Sequence, residues 1–426
     1  MADRPLNVII IGAGTGGLCL AHGLLSSSNV SVQVFERDRS PNDRLQGYRL
    51  SVNHDGAAAL QSCLPDEQFQ RLLANSANRS VGLTFLDHRV HRLLAMDFPA
   101  SPSNGVPNEL PVSRIALRRV LLEGLDSVVQ FGKKFVVFED GPDSQVTARF
   151  EDSSCATGDL VVGADGAGSH VRAQLLPHAR RIETGIFAVS GKFALTPESR
   201  AATPPDIFRG PTLFLGPNGT FLFASTVEYG TSARPAASAT CSHVSAYDRD
   251  EYVMWGFSAQ REKFRLPPAI EHISGDEWKN TVLALMRDWH PALRALIERA
   301  DSASINPFSV KTSVRIDPWP TRNVTLLGDA LHNMTPYRGI GANTALRDAA
   351  ALCAALRNVA RGEAPLFAAL AGFERSMIDY GFRAVETSLK EMRRLHSENP
   401  FSRALTKTFF RAVDLFPPLK SALRAG

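Results

Sequence analysis

Gly12, Gly14 and Gly17 stand at the spacing Gly-x-Gly-x-x-Gly, and Glu36 follows 19 positions after the last of them. Residues of these types can grip a dinucleotide: the first glycine makes a tight turn, the second lets the backbone approach a pyrophosphate, and the third lets a helix pack closely on a strand. The helix N-terminus offers free N–H groups and partial positive charge to the diphosphate, and the acid accepts hydrogen bonds from ribose hydroxyls. For this to work the loop must join a strand to a helix. The apolar run Leu6–Ile11 precedes the glycines, an apolar-faced helix follows to about Leu25, and a second strand, Val30–Phe35, ends at Glu36. Residues 6–36 therefore read as a βαβ unit.

The fingerprint alone does not distinguish NAD from FAD. Two later segments decide it. Gly163-Ala164-Asp165-Gly166-Ala167-Gly168 runs on to Arg172, directly after the strand Leu160–Val162. Gly328-Asp329-Ala330-Leu331-His332 follows the strand Val324–Leu327 and leads through Pro336 and the loop Gly339–Asn343 into an alanine-rich helix, Thr344–Leu356. In this order and at these distances the three motifs resemble the class A FAD-dependent monooxygenases, the family of the para-hydroxybenzoate, salicylate and kynurenine hydroxylases. The resemblance covers about residues 5–375, with the middle of the chain matching in position and style more than in sequence.

The resemblance implies an FAD site made of Gly12, Gly14, Gly17 and Glu36, with Arg37 over the adenosine half and Arg114, in Val112–Arg118, as a further cofactor contact. It implies that Asp329 hydrogen-bonds the ribityl chain, that Asp165 lies near the cofactor and the approach of the nicotinamide nucleotide, and that Pro336, Gly341, Ala342 and Asn343 lie against the flavin. The N–H groups of the following helix would face the flavin N1/C2 carbonyl, where negative charge accumulates on reduction. Arg49 lies where members run a strand past the reactive edge of the flavin; it is the catalytic candidate, touching flavin, peroxide or substrate, against a plain salt bridge. His332 is read as a packing residue of the flavin loop rather than a base. Arg338-Gly339-Ile340-Gly341 departs from the Gly-Gln-Gly or Gly-Glu-Gly of many members, and Leu331 replaces a usual alanine.

The implied activity is that of a single-component, NADPH- or NADH-dependent monooxygenase that transfers one oxygen atom of O2, through a flavin C4a-hydroperoxide, to an apolar aromatic or olefinic small molecule, in secondary metabolism or aromatic and antibiotic modification. With only one βαβ fingerprint, the nicotinamide nucleotide visits transiently. The flavin carries the hard chemistry, so no triad or metal site is expected. The rival readings are an FAD oxidase or dehydrogenase and an inactive binding module that kept the fold.

The elements that must hold these residues set the fold class: an α/β FAD-binding βαβ three-layer domain with an inserted antiparallel-sheet substrate domain and C-terminal helices. The expected boundaries are 1–80, 106–185 and 306–365 for the FAD domain, 81–105 and 186–305 for the substrate domain, and 366–426 for the helical segment. Pro99–Pro111 reads as a surface loop, and Pro197–Pro205 and Ser232–Ser242 read as linkers. Trp255, Phe257, Phe214, Phe221, Phe223 and Tyr229 alternate on the middle strands, most of them core and a minority lining an apolar pocket.

Composition excludes several classes. The 426 residues are 44% hydrophobic and 21% charged, those of an ordinary folded protein. The net charge is only +4, and the last 37 residues alone carry +5, so nothing points to nucleic acid. The five cysteines lie at least 44 positions apart, so the sequence holds no Cys-x-x-Cys or close Cys/His cluster, which argues against structural zinc, an iron–sulfur site and an active-site disulfide. The apolar start is too short for a signal peptide, and no window reaches the roughly 18 apolar residues of a membrane span, so a cytoplasmic protein is expected. The basic, apolar stretch Phe401–Leu423 is expected to pack across its own domain rather than on a membrane. Oligomeric state has no signature in the sequence.

Overall fold

The computed structural model describes residues 4–41, 43, 48–99, 106–141, 145–230, 250–267, 270, 272–416 and 420. The chain packs as two compact units: Met1–Ser76 with Ser101–Ile182 and Lys311–Leu389, and Ala77–Ala100 with Glu183–Val310 and Lys390–Gly426.

In the first unit five strands form a parallel sheet in the order Val324–Leu326, Leu160–Gly163, Leu6–Ile11, Val30–Phe35 and Val129–Gln130. The central ones are short runs of Val, Ile and Leu with both sides buried, as a parallel sheet covered on two faces requires. Successive side chains identify the covers. Ile10 points at the helix Thr15–Leu25, where a Cβ on Gly17 would lie 3.3 Å from its Cγ2. Ile9 points the other way, at the small antiparallel sheet Phe135–Asp140, Val146–Phe150 and Cys155–Gly158, where a Cβ on Gly158 would lie 3.2 Å from its side chain. Phe35 stacks on Phe150 of that same sheet at 4.4 Å. Helices, parallel sheet and antiparallel meander make the three layers of an α/β fold.

One local expectation is corrected in this unit. Pro99–Pro111 is not all loop: Glu109–Ser113 is a buried strand paired with Arg49–Asn53, because Leu110 and Val112 have a core to enter, while residues 100–105 lie outside the described set. The helix Arg114–Leu122 ends where Gly124 takes a left-handed turn at φ 77°. Three of the cysteines, far apart in sequence, meet in space. Cys19, Cys63 and Cys353 are buried on three packed helices, and a Cβ on Gly23 would sit 2.6 Å from Cys353 Sγ and 3.1 Å from Cys63 Sγ. Hydrogen bonding to Cys63 and burial push the Cys19 and Cys353 thiols up, so both are neutral. Among the described residues no group of three His, Cys, Asp or Glu side chains is disposed to hold a metal ion.

The second unit is built on a seven-stranded sheet: Asn306–Ser313, Arg181–Ala194, Tyr252–Gln260, Phe221–Val227, Thr212–Leu215, Gly82–Asp87 and Arg92–Asp97, in that order. It is antiparallel except where Thr212–Leu215 meets Gly82–Asp87 in parallel. Those two strands come from separate excursions of the chain, so no hairpin constrains their direction. One face carries Val189, Phe214, Leu222, Trp255 and Phe257, buried with Trp278 of the helix Gly275–Leu285 and Leu293 of the helix Pro291–Glu298. Phe187 stacks on Trp278 at 5.4 Å. Phe221 is also buried, whereas Phe223 and Tyr229 are half-exposed. Pro197–Pro205 is not a linker: Thr196 and Ser199 form a capping box on the helix Pro197–Ala202, with proline at its first position where no N–H is needed. Ser232–Ser242 lies outside the described residues.

The chain ends in the long helix Leu366–Leu395 and the helix Pro400–Leu415. Among the described residues no helix is long and apolar enough to cross a membrane. At their junction His396 is buried. Its Nδ1–H donates to Met392 O at 2.9 Å, and its Nε2 accepts from Ser258 Oγ at 2.9 Å. Burial first, and then the Arg403 charge, hold its pKa down at about 4 against the Met392 carbonyl. The folded chain therefore keeps this imidazole neutral where the unfolded chain protonates it. Stability should fall as pH drops from about 6.5 to about 4, by up to about 3 kcal/mol from this group. His396→Gln should flatten that part of the pH profile of thermal unfolding, and parallel profiles for the two proteins would contradict it.

Candidate functional site

The carboxyl ends of three parallel strands bring the three glycine motifs together. Gly12 N donates to Phe35 O (2.8 Å), Ala164 N to Ile11 O (2.8 Å) and Leu327 N to Gly163 O (3.0 Å). Each glycine of the first motif is required for a different reason. Gly12 has φ 109°, and a Cβ there would lie 2.4 Å from Ala164 O. A Cβ on Gly17 would lie 2.2 Å from Gly12 O, so that position exists for helix–strand packing. A Cβ on Gly14 would meet nothing within 4 Å, so the space beside that position is open.

Glu36 is buried at the end of the second strand. Its Oε2 accepts from Ala13 N at 2.8 Å and its Oε1 from Asp38 N at 3.0 Å, so the carboxylate holds the glycine loop while keeping lone pairs for further donors. Arg37 is exposed beside it. Arg114 is exposed at the first position of its helix. One turn later Arg118, which sequence reasoning missed, reaches the glycine loop: Nη1 donates to Ala13 O at 2.8 Å and Nη2 lies 3.7 Å from Asp38. Its Nε and Nη2 are buried and have no hydrogen-bond acceptor.

Asp165 folds its own loop. Oδ2 accepts from His170 N (2.8 Å) and Val171 N (3.3 Å), and Oδ1 is buried without a hydrogen-bond partner. Arg172 ties this loop to the third motif by donating to Ala167 O (3.2 Å) and Ala330 O (2.9 Å). Asp329 is exposed at the start of the short helix Asp329–His332, after a left-handed turn at Gly328. Pro336 is exposed at the start of a single 3-10 turn that ends on left-handed Gly339.

Gly341 and Ala342 begin the helix Gly341–Ala360, three residues earlier than the sequence suggests, and a Cβ on Gly341 would meet nothing closer than 3.7 Å. Neither this helix nor Thr15–Leu25 has a side-chain cap or an acidic residue in its first turn. Both ends thus present bare N–H groups and positive dipole charge to an anionic or carbonyl group. The Asn343 side chain is spent within the protein. It donates to Ser51 O (3.0 Å) and Gly339 O (3.3 Å) and accepts from Asn53 N (2.8 Å), clamping the Arg49–Asn53 strand to the third motif.

The Arg49 side chain is 6% exposed and pairs with Glu109 Oε1 at 2.7 Å, an oxygen that also accepts from Ser51 Oγ at 2.6 Å. His332 is a structural member of the third motif. Its Nε2 lies 2.6 Å from Asp348 Oδ2, which also accepts from Gly328 N (2.7 Å), while Tyr380 OH donates to Oδ1 (2.6 Å). Burial pulls the His332 pKa down, but the attraction and hydrogen bond of Asp348 outweigh it and leave the pKa raised.

The residues present fit FAD by their own geometry. A glycine loop is open only at its middle glycine, two bare helix ends face the same edge, and two charged side chains, Arg118 and Asp165, hold buried polar atoms without partners there. A flavin dinucleotide supplies the phosphates, ribose hydroxyls and ring carbonyl that such groups bind.

Comparison with known proteins agrees. The FAD binding domain family matches residues 111–368, more than half of the chain. The dual O-methyltransferase/FAD-dependent monooxygenase elcB of Phaeosphaeria nodorum is 33% identical over 384 residues, 82% of this chain and 40% of that protein. The chain thus spans less than half the length of the first curated relatives it matches. The FAD-dependent monooxygenase dbaB of Emericella nidulans is 31% identical over 369 residues, covering 82% of this chain and 86% of that protein. The crystal structure of a proposed FAD containing monooxygenase from Photorhabdus luminescens superposes with a TM-score of 0.80 at 32% identity, over 92% of this chain and 98% of that one. Matched along most of its length by relatives of its own size, and carrying the cradle their cofactor needs, the chain belongs to the FAD-dependent monooxygenase family.

Proposed function

We propose that the chain is an NAD(P)H-dependent FAD monooxygenase acting on an apolar aromatic or olefinic small molecule. The observation that carries this reading is the convergence of three glycine motifs, with an open Gly14 and an unpartnered Asp165 Oδ1, on one edge of the parallel sheet. Bound FAD supplies the redox chemistry: NAD(P)H and a proton reduce O2, one oxygen atom entering the substrate and the other leaving as water.

The chain's own residues bind and orient. Gly14 and the first turn of Thr15–Leu25 take the diphosphate, with Arg118 as a neutralising charge, and Glu36 and Arg37 take the adenosine half. Asp329 and Arg114 hold the remaining polar groups of the cofactor, and Asp165 lies on the path of the nicotinamide nucleotide. The N–H groups of Gly341 and Ala342 stabilise negative charge on the reduced ring. Arg49, held by Glu109, faces the reacting edge as a fixed positive charge.

The seven-stranded sheet is the substrate platform in this reading, and secondary metabolism, where the relatives' names combine oxygenation with O-methylation, is the setting. One sheet face is buried under helices; the other carries Ser190, Gly256 and Phe223 in register, flanked by Met254 and Ser225, all but Ser225 half-exposed. Around Gly256 that face is apolar to neutral, with Lys192 beside Met254 laid over the Tyr252 ring, and above Gly256 a Cβ would meet nothing within 4 Å. Gly256→Phe should therefore fold normally and retain flavin while raising KM for the substrate at least about tenfold, the worth of about 1.4 kcal/mol of lost contact. Unaltered KM in a correctly folded variant would remove this face from the substrate site.

The test of the proposal is anaerobic bleaching of the flavin by NADPH and by NADH, with and without a panel of aromatic and polycyclic compounds. Faster bleaching in the presence of one compound supports the monooxygenase and names its ligand class. Bleaching by a compound alone supports an oxidase or dehydrogenase, and a chain that cannot take up FAD supports an inactive binding module.

A further inference from the structure

The helix Pro400–Leu415, capped by Asn399, uses only one side to hold the second unit together. Phe410 and Val413 are buried, Phe410 packs on Phe85 at 4.6 Å, and Asp414 accepts from Ala95 N at 3.0 Å. The opposite side is apolar and in water. Phe401 is 78% exposed, Leu405 62%, Phe409 46%, Leu415 75% and Phe416 57%. At 100° per residue positions 401, 405 and 409 fall on one stripe with Ala412 among them, and Ala404, Thr408 and Leu415 continue it on one side with no charge inside it; Phe416 follows as the residue that ends the helix. Four large apolar side chains on one exposed helix face, with Phe416 at its end, exceed the scattered singles of an ordinary surface.

One flank of the stripe is strongly basic. Lys407 lies within electrostatic reach of Arg89, Arg403 and Arg411, which together with burial hold its pKa down, and Arg92 lies near Asp414 at the same end of the sheet. The nearby acids are spent locally: Asp87 on the backbone of Arg89 and His91, Asp414 on Ala95 N and Lys420. A net cationic edge beside an uncharged apolar face complements a surface that is anionic outside and hydrocarbon within.

We propose that this outer helix face docks on an anionic lipid bilayer, with Phe401, Leu405 and Phe409 entering the acyl boundary and Arg89, Arg92, Lys407 and Arg411 at the lipid phosphates. The proposal is independent of the oxygenase reading. The experiment is co-sedimentation of the purified chain with vesicles of phosphatidylcholine containing about one third phosphatidylserine, against pure phosphatidylcholine, at low salt and at about 0.5 M salt. Binding is expected on the anionic vesicles, reduced in salt and weak on the neutral ones. Arg89→Glu with Arg411→Glu should weaken it by well over tenfold, each basic residue near such a surface being worth about fivefold. Leu405→Ser with Phe409→Ser should weaken it at least about tenfold while flavin content and thermal unfolding stay unchanged. No sedimentation with anionic vesicles at low salt overturns the proposal. So does a self-associated species that the Leu405→Ser/Phe409→Ser variant abolishes without any vesicle binding, which would assign the face to a second copy of the chain.

Discussion

Replacing Gly14 by valine should give a folded chain that no longer holds flavin. A side chain at Gly14 collides with nothing in the protein, so the fold has no reason to object to it. It would occupy the open space beside the bare first turn of Thr15–Leu25, where a diphosphate must come to within hydrogen-bond distance of backbone N–H groups. Losing one or two charge-assisted hydrogen bonds to an anion costs about 3 kcal/mol, a hundredfold or more in affinity. The purified variant should be colourless or require excess FAD, with thermal unfolding matching that of wild-type protein stripped of its flavin. Gly17→Ala is the contrasting control. Its Cβ would lie 2.2 Å from Gly12 O, so that variant should fail in folding itself. A Gly14→Val protein with a full complement of flavin would contradict the cofactor assignment.

Asp348→Ala should be among the most destabilising single changes in the first unit. The carboxylate is wholly buried and serves Gly328 N, His332 and Tyr380 at once. Its removal leaves two buried donors and the part-buried Tyr380 hydroxyl without their acceptor, one of them a histidine whose raised pKa depends on that charge. Breaking one side of a buried ionic cluster typically costs about 3–5 kcal/mol, which for a unit of this size lowers the unfolding midpoint by roughly 10 °C. Because Asp348 also fixes the Gly328 amide, and with it the left-handed turn that presents Asp329, flavin affinity should fall in the same variant. Differential scanning calorimetry of the apoprotein and a flavin titration measure the two effects separately. A midpoint within about 2 °C of wild type would show that the cluster is not the anchor its geometry implies.

The parts of the site that the sequence displays are those fixed by backbone geometry. A glycine at the wrong φ or too near a carbonyl cannot be substituted, so Gly12 and Gly17 leave a spacing that can be read directly, and the strands on either side leave runs of Val and Ile. The side chains that hold the loops in place leave no such trace. Arg118 stands one turn from Arg114 on the same helix, and nothing in their spacing says which one reaches Ala13. Asp348 is one acid in an alanine-rich helix, 20 residues beyond the Gly328 it holds, and Glu109 lies 60 residues from Arg49. Cys19, Cys63 and Cys353 meet only because three helices pack on one another. The helix at Pro197–Ala202 was hidden by composition, since proline, serine and alanine suggest a linker until the capping box of Thr196 and Ser199 is noticed. The amphipathic tail was visible as a pattern, but only packing decides which of its faces is inward.

Oxygen from O2 should enter the substrate while NAD(P)H is consumed. The most direct measurement is turnover of a compound that accelerates flavin bleaching, under isotopically heavy O2, with product and peroxide both quantified. A monooxygenase yields one heavy oxygen atom in each product molecule, one NAD(P)H consumed for each, and little hydrogen peroxide. An oxidised product that carries no heavy oxygen, with a stoichiometric yield of peroxide, would contradict it and make the chain an oxidase built on the same FAD cradle.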